Sequence, residues 1–221
     1  APPEVIGEFL RQVRQRIDSK LYGLESLKNE IMIIINNRIT NPAASGTLAL
    51  CGPPGTGKTA IVSVVAEALS LPFERIPLGG LNDSTILTGS HPHWVASSPS
   101  ILLRFLARSG VSNGVVLFDE IDKISDSHGG TEVQNAMLHI TDYTQNHEFK
   151  DVFLNDIPHD LSRIWFMYSM NDEKRIPPIL RDRLTILKIP PYSRQELKVI
   201  MKNYLLPRAI SGVGMTQQSI I

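Results

Sequence analysis

The segment Gly52–Thr59 constrains the fold of this chain more than any other, because its spacing matches the pattern G-x-x-x-x-G-K-[ST]. A short apolar run, Leu48–Cys51, precedes it, and a helical pattern, Ala60–Leu69, follows it. Glycines let a loop wrap around a phosphate with its N–H groups pointing inward, and the start of a helix adds a favourable dipole. This context predicts a strand, a phosphate-binding loop and a helix.

Two side chains of this loop have expected roles. Lys58 is placed to reach the β- and γ-phosphates of a nucleotide, and Thr59 is placed to bind the accompanying Mg²⁺. The remaining loop residues are expected to surround the phosphates: Pro53, Pro54, Gly55, Thr56 and Gly57. The sequence therefore predicts ATP and Mg²⁺ as cofactors.

Five short apolar runs alternate with helical patterns along most of the chain. The runs are 47–51, 73–78, 115–118, 164–168 and 184–189, and the helical patterns fall at 58–69, 99–109 and 132–142. Such alternation predicts an α/β fold, a three-layer sandwich around a parallel five-stranded sheet. We expect three parts: a helical segment at 1–45, the α/β nucleotide-binding domain at 46–190, and the beginning of a helical lid at 191–221.

The first helical pattern, at 5–17, has an apolar face. Val5, Phe9, Val13 and Ile17 follow one another at steps of four, among charged residues. The polar side of this helix lacks the strongly basic character of a membrane-surface helix. We therefore expect the apolar face to pack on this domain or on an upstream one.

Polar side chains follow two of the apolar runs. Asp119 is expected to hold Mg²⁺ through water, and Glu120 to orient and deprotonate the attacking water. Both come at the carboxyl end of a strand, where open α/β sheets bind ligands. Asn171 follows the run that starts at Ile164 and could hydrogen-bond the same water or the γ-phosphate; the alternative is an ordinary turn residue.

Two arginines, Arg181 and Arg183, precede the last apolar run. A guanidinium group is suited to stabilising charge on a transferring phosphoryl group. One that points out of the subunit would serve a neighbour's nucleotide. The alternative is a solvated or salt-bridged arginine.

Trp94 and Val95 stand alone among polar and turn residues in the long segment 79–99. An apolar pair in a loop either tucks into the core or marks a contact surface. Spacing alone does not separate these two interpretations.

Together these segments resemble the AAA+ ATPases, and more closely the ATPase module of Lon proteases. The resemblance extends from about Asp18 to Pro207. Beyond the phosphate loop it rests on five segments: Leu21–Glu25, Pro77–Leu81, Phe118–Lys123, Gln145–Phe149 and Leu180–Arg183.

This resemblance implies a ring ATPase, usually hexameric, with nucleotide bound at the subunit interfaces. It implies that Tyr22 and Gly23 lie near the adenine. It also implies that Asn171 is the first sensor of the nucleotide and that Arg183 is an arginine finger supplied to the neighbouring subunit.

The resemblance also assigns the exposed-loop pair. Trp94 and Val95 fall where the family carries the pore loop that grips an extended polypeptide, although the family usually has Tyr at the position of Trp94. The implied function is ATP-driven unfolding and translocation of unfolded or damaged proteins.

The chain departs from the family in having no Gly-x-Arg second sensor in a late helix. The proteolytic serine and lysine of Lon lie in a further domain, so this chain is expected not to cleave peptide bonds by itself.

Charge and cysteine content limit which binding partners and which cellular compartment the sequence favours. The 22 Lys and Arg residues balance the 22 Asp and Glu residues, whereas a protein that grips nucleic acid usually carries a basic excess. A single cysteine excludes a disulfide framework and favours a reducing intracellular compartment, either the cytoplasm or the mitochondrial matrix. No apolar run reaches the roughly 18 residues of a membrane span, so no membrane partner is expected.

Two alternatives stay open at this point. One is an AAA+ remodeller or loader without a protease, acting on nucleic acid or on an assembled complex. The other is a nucleotide-binding scaffold that hydrolyses little ATP.

Overall fold

A five-stranded parallel sheet forms the centre of the structure, a computed structural model that describes residues 2–41, 47–155 and 157–212. The strands of the chain are β1 Thr47–Cys51, β2 Phe73–Pro77, β3 Gly114–Asp119, β4 Phe149–Lys150, β5 Pro158–His159, β6 Ile164–Met170 and β7 Leu184–Lys188. The sheet has the order β2–β3–β6–β1–β7, and every neighbouring pair is parallel. The predicted α/β fold with five parallel strands is therefore confirmed.

Helices cover both faces of the sheet. They are α1 Pro3–Lys20, α2 Glu25–Thr40, α3 Lys58–Ala68, α4 Thr85–Thr88, α5 Ile101–Ser109, α6 His128–Thr141, α7 Pro178–Arg181, α8 Arg194–Ile200 and α9 Leu206–Gly212, with a π-helical turn at Met201–Leu205. Short 3₁₀ turns lie at Ile121–Lys123, Asn146–Glu148 and Glu173–Arg175. Within the described ranges, no helix is long and apolar enough to cross a membrane.

The two central strands, β3 and β6, are buried on both faces. Because successive side chains alternate across a strand, Val115 and Leu117 pack against α1, α2 and α3, whereas Val116 and Phe118 pack toward α5 and α6. Each large apolar side chain removed from water in this way contributes about 1.5–3 kcal/mol. The resulting double core holds the carboxyl ends of the strands in fixed positions.

Helix α1 packs on this domain through only part of its predicted apolar face. Val13 and Ile17 are fully buried in the core shared with α2 and α3, as expected. Val5 and Phe9 are exposed on this domain, so their packing on an upstream one, the other expectation, stays a prediction. Helix α1 contacts the core through Leu10, Val13 and Ile17.

The C-terminal helical region is irregular in the middle. Ser193 begins α8 with a capping box, in which its hydroxyl accepts from the backbone N–H of Glu196 and the Glu196 carboxylate accepts from the N–H of Ser193. The π-helical turn then comes just before Pro207, which has no N–H for the carbonyl four residues earlier. Residues 42–46, at the end of the expected helical segment, and the last nine residues of the expected lid lie outside the described residues.

Candidate functional site

The phosphate loop joins β1 to α3 at the carboxyl edge of the sheet. Gly55 and Gly57 have φ of 81° and 80°, which favours glycine, and no atom lies within 4 Å of where a side-chain carbon at either would stand. Pro54 lines the cavity beneath the loop, and the hydroxyl of Thr56 donates to the carbonyl of Pro53 at 2.9 Å. The loop is thus braced internally and open toward the cavity.

This phosphate cavity has a volume of about 350 Å³. The structure brings together in its lining most of the residues singled out from the sequence, and two polar residues that were not. The polar side chains are those of Lys58, Thr59, Arg75, Asp119, Glu120, Ser169 and Asn171.

The Lys58 ammonium is nearly buried and is held by three oxygens. It donates to the carbonyls of Gly52 at 2.7 Å and Pro53 at 2.9 Å, and to the side-chain oxygen of Asn171 at 2.9 Å. Burial lowers the pKa of Lys58, and the nearby Asp119 carboxylate only partly opposes the shift. A phosphate entering the cavity would offer this cation the counter-charge that neutral carbonyls do not.

The Asp119 carboxylate is the most heavily hydrogen-bonded acid of the cavity. Its Oδ2 accepts from the Thr59 hydroxyl at 2.9 Å and from Arg75 Nε at 2.6 Å, and its Oδ1 accepts from the Ser169 hydroxyl. Burial raises the pKa of Asp119, but these hydrogen bonds outweigh burial and hold the pKa below its ordinary value. Asp119 is therefore ionised at neutral pH.

Glu120 follows β3 in a left-handed conformation, with φ of 62°. Such a backbone is uncommon for a residue other than glycine and is often found at functional sites. Its carboxylate accepts a hydrogen bond from Lys123, and this contact raises the pKa of the Lys123 ammonium. Lys123 therefore engages one oxygen of the Glu120 carboxylate, Oε1.

The chemistry of these donors fits a magnesium nucleotide. A hydroxyl and an ionised carboxylate, from Thr59 and Asp119, meet at 2.9 Å beside the cation of Lys58. Hard oxygen ligands of this kind are those that Mg²⁺ prefers. When bound there, Mg²⁺ would supply positive charge to the phosphate oxygens.

A second cavity, of about 200 Å³, lies on the other side of the phosphate loop. Its lining is mainly aromatic and aliphatic and includes Tyr22, Ile61, Tyr192, Leu197 and Tyr204. Such a surface suits the flat face of an aromatic base. Gly23 does not line this cavity; with φ of 62°, it forms the turn that follows Tyr22.

Arg183 lies apart from both cavities. Its guanidinium is about half exposed and donates to Asp142 Oδ2 at 3.4 Å. The pKa of Asp142 is lowered, first by hydrogen bonds from Thr144 and then by Arg183. Arg183 does not line the phosphate cavity of its own chain.

Trp94 and Val95 form the tip of the loop between α4 and α5. The Trp94 side chain is 64% exposed and Val95 is fully exposed, so the pair is not tucked into the core. The loop turns tightly at this point, because the N–H of Trp94 donates to the carbonyl of His91 and the N–H of Ser97 donates to the carbonyl of Trp94.

Sequence reasoning missed two residues of the phosphate cavity, Arg75 and Ser169. Ser169 follows the predicted strand by one residue and lies two residues before Asn171, so its side chain points the same way. Arg75 carries the stronger signal, a charge in the middle of a predicted strand. That Arg75 bonds Asp119 could not be predicted, because the contact depends on the pairing of β2 with β3.

Known proteins are similar to this chain over nearly its whole length. The Lon protease of Lawsonia intracellularis is 36% identical over 201 residues, which are 90% of this chain and 24% of that protein. The peroxisomal Lon protease homolog 2 of Spinacia oleracea is 37% identical over 95% of this chain, and the Lon protease homolog of Acanthamoeba polyphaga mimivirus is 32% identical over 96%. The chain spans about a quarter of the length of the curated relatives it matches.

Residues 48–191 match the family described as "ATPase family associated with various cellular activities (AAA)". The match begins in β1 and includes the phosphate loop, all residues of the phosphate cavity and Arg183. It covers more than half of the chain. The resemblance seen in the sequence is thereby confirmed: the chain belongs to the AAA family of ATPases, and its module is similar to that of Lon proteases.

Proposed function

We propose that this chain is the AAA+ module of a Lon-type ATP-dependent protease and that it uses ATP hydrolysis to unfold and translocate polypeptide. The observation that carries the proposal is the exposed pair Trp94 and Val95, presented on a braced loop away from the nucleotide cavities. An exposed aromatic beside an exposed aliphatic residue suits an extended chain of varied sequence, because it grips by apolar contact. The similarity to Lon proteases supports this assignment.

The residues of the phosphate cavity have separate roles in binding and hydrolysing ATP. Lys58 holds the phosphates, and Thr59 and Asp119 hold the Mg²⁺ that accompanies them. Glu120 accepts the proton of the attacking water. Asn171, which now contacts Lys58, orients the same end of the nucleotide. No cleavage of peptide bonds is proposed for this chain.

Arg183 completes the site of a neighbouring copy in a ring, which we propose to be hexameric in the full-length protein. Its exposure and its separation from the cavities of its own chain support this role. Residues 191–221 begin a lid, and the contacts of Tyr192 and Tyr204 with the second cavity support a covering role over the base. Residues 1–45 lead into the nucleotide-binding domain at 46–190.

The partners in this proposal are unfolded or damaged proteins and further copies of the same chain. The relatives include bacterial proteins and plant proteins that are named as peroxisomal. We place this protein in a reducing intracellular compartment, the cytoplasm or the mitochondrial matrix. The single cysteine, Cys51, is buried, which supports a structural thiol rather than a disulfide.

One observation favours a second candidate, a nucleotide-binding scaffold with little turnover. The Glu120 carboxylate is engaged by Lys123 rather than free in the cavity. In that case Glu120→Gln would leave ATP turnover at the level of the unaltered chain. A loader of nucleic acid gains no comparable support, because the net charge is zero.

The test is polypeptide binding by Trp94→Ala, with His93→Ala as the matched control on the same loop. A fluorescently labelled unfolded polypeptide is titrated with each variant in the presence of ATP and in the Glu120→Gln background, which limits hydrolysis. We expect Trp94→Ala to weaken binding by about tenfold or more, the usual cost of losing an aromatic anchor. Nucleotide affinity should stay unchanged in both variants.

Equal polypeptide affinity in the Trp94→Ala and unaltered chains would contradict the proposal. The same would follow if labelled single-stranded DNA bound more tightly than polypeptide, with a steep dependence on salt. That result would favour the loader.

A further inference from the structure

Asp151, directly after β4 in the hairpin formed by β4 and β5, carries a deeply buried carboxylate and is 1% exposed. Its Oδ2 accepts from the backbone N–H of Ser100 at 2.8 Å, and its Oδ1 accepts from the N–H of Phe153 at 2.8 Å. Hydrogen bonds to an ionised acceptor are roughly twice as strong as neutral ones. The carboxylate therefore ties the residue that begins α5 to the turn of the hairpin.

The same carboxylate also contacts the chain that leads into the Trp94–Val95 loop. A side-chain carbon at Gly89 would overlap Asp151 Oδ1, so only glycine allows this approach. Beside it, the N–H of Val152 donates to the carbonyl of Thr88 at 2.8 Å. We call residues 90–99 the substrate loop. Asp151 and its neighbour thus hold both stems of that loop, one on each side.

The substrate loop is closed at its base between the two stems. The N–H of Ser90 donates to the carbonyl of Ser98 at 3.1 Å, and the N–H of Ser98 donates to the hydroxyl of Ser90 at 2.7 Å. The C-terminal stem continues into α5, where the Ser100 hydroxyl caps the helix by accepting from the N–H of Leu103. A closed loop fixed at its base moves as a unit with whatever holds that base.

The segment that carries Asp151 also reaches Arg183. It starts at Asp142, which accepts from Arg183, and runs through the 3₁₀ turn Asn146–Glu148 into β4. A cavity of about 270 Å³ separates part of this segment from α6, with Thr88, Asn146 and Phe149 in its lining. This cleft opens to the surface and leaves the segment room to shift.

We propose that Asp151 is a positioning residue that, together with the backbone N–H of Val152, fixes both stems of the substrate loop to the β4–β5 hairpin, so that a displacement of the hairpin moves Trp94 and Val95. The inference rests on the proposed function only for what the loop grips. The attachment of the substrate loop to the hairpin does not depend on that function, and it is tested without any polypeptide.

The experiment measures amide hydrogen exchange in the 221-residue chain. The quantity compared is the exchange rate of peptides that cover residues 88–100. Asp151→Asn turns an amide group toward a backbone N–H, so two donors face each other. Asp160→Asn is the matched control, because Asp160 accepts a backbone N–H from Ser162 in an exposed turn at the end of the same hairpin. Asparagine serves equally well in such a turn.

A second pair of variants isolates the contact at Ser100. Ser100→Pro removes the N–H that Asp151 accepts, at a residue whose φ of −54° proline can adopt. Ser100→Ala loses only the hydroxyl cap of α5 and keeps that N–H. The difference between the two variants reports the tie to Asp151 even if Asp151→Asn fails to fold.

We expect residues 88–100 to exchange about tenfold faster in Asp151→Asn and Ser100→Pro, as when a hydrogen bond to a charged group is lost. The peptides of α3 and β3 should exchange as before, and both controls should resemble the unaltered chain. Unchanged exchange of the loop in Asp151→Asn and Ser100→Pro would overturn the inference. A freed loop with unchanged polypeptide affinity would support the positioning role and contradict the proposed function of Trp94 and Val95.

Discussion

Asp119 Oδ2 accepts hydrogen bonds from two side chains of the site. It accepts from the Thr59 hydroxyl and from the Arg75 guanidinium at once, and Arg75 is half exposed on the cavity side. A guanidinium in this position carries the charge that Mg²⁺ would otherwise bring to the carboxylate. We therefore expect the two cations to compete for the same acid.

Arg75→Gln is expected to raise the apparent affinity for Mg²⁺. Removing one positive charge relieves roughly 1 kcal/mol of repulsion toward a divalent ion under water-like screening, which is about a fivefold effect. Mg²⁺ is titrated against a fluorescent ADP analogue bound to the chain. Arg108→Gln is the control, since Arg108 is an exposed arginine paired with Glu74 away from the cavity. A lower or unchanged Mg²⁺ affinity in Arg75→Gln would contradict the competition.

The contrast between Lys58 and Arg75 shows what a single sequence reveals about a site. Lys58 belongs to a contiguous pattern, so its place beside a phosphate follows from eight consecutive residues. Arg75 contacts Asp119 because β2 and β3 pair with Arg75 opposite Leu117, two residues from the acid. That register is a property of the folded sheet, and no local pattern encodes it.

The first two helices are joined by an ion pair between a buried lysine and a partly exposed aspartate. The Lys28 ammonium, 3% exposed on α2, donates to Asp18 Oδ1 at 2.8 Å across the turn from α1. Burial raises the pKa of Asp18, but hydrogen bonds from Lys28 and Arg14 outweigh burial and hold it below its ordinary value. Loss of the acid would leave Lys28 with the longer contact to Glu25, at 3.3 Å.

Asp18→Asn is expected to lower the free energy of unfolding by about 1–2 kcal/mol, because a buried ammonium loses its nearest charge while the acid itself is partly exposed. Lys28→Met should stay within about 1 kcal/mol of the unaltered chain, since removing a buried charge also removes its desolvation cost. Urea unfolding measures both. Glu8→Gln, at an exposed pair on the same helix, is the control.

The Asp18 contribution also has a defined pH dependence. Because its pKa is lower in the folded chain than in the unfolded one, the stabilisation is complete above the ordinary carboxyl value. It is lost as the pH falls through the depressed value. The difference between Asp18→Asn and the unaltered chain should therefore shrink on acidification, and a difference that persists at low pH would contradict the ion-pair explanation.

Periodicity in the sequence predicted the elements with long, strongly patterned stretches. All five strands of the central sheet were predicted to within two residues at either end, because alternating buried runs between helices leave few other folds. The β4–β5 hairpin was not predicted, since its strands of two residues are too short to show alternation. The exposure of Val5 and Phe9 could not be predicted either, because periodicity identifies an apolar face but not how much of that face a neighbour covers.

In the assembled protein, the proposal requires that each active site draw on two chains. A mixture of Arg183→Ala with Glu120→Gln tests this directly. Each variant alone lacks one component at every site, whereas a mixed ring contains sites with an intact Glu120 and a neighbour's intact Arg183.

We expect ATP turnover by the mixture to exceed that of either variant alone. Turnover by the unaltered chain should rise with protein concentration and with added unfolded polypeptide. The mixture is measured at a fixed total concentration, with Arg181→Ala in place of Arg183→Ala as the control. If turnover by the mixture only equalled the average of its components, Arg183 would act within its own chain or not at all.

The register of β1 with β7 has a consequence for symmetry. Thr47 pairs with Leu184 at one edge of the sheet, and Cys51 pairs with Lys188 at the other. Arg183 therefore stands at the edge where these strands begin, and the phosphate loop at the edge where they end, about 16 Å away along the strands. A contact that joins the first edge of one copy to the second edge of the next can repeat head to tail until it closes into a ring, or it can be reciprocal in a two-fold dimer. The proposed ring therefore requires the two edges of each copy to face different neighbours, so that every nucleotide site lies between its own pair of chains.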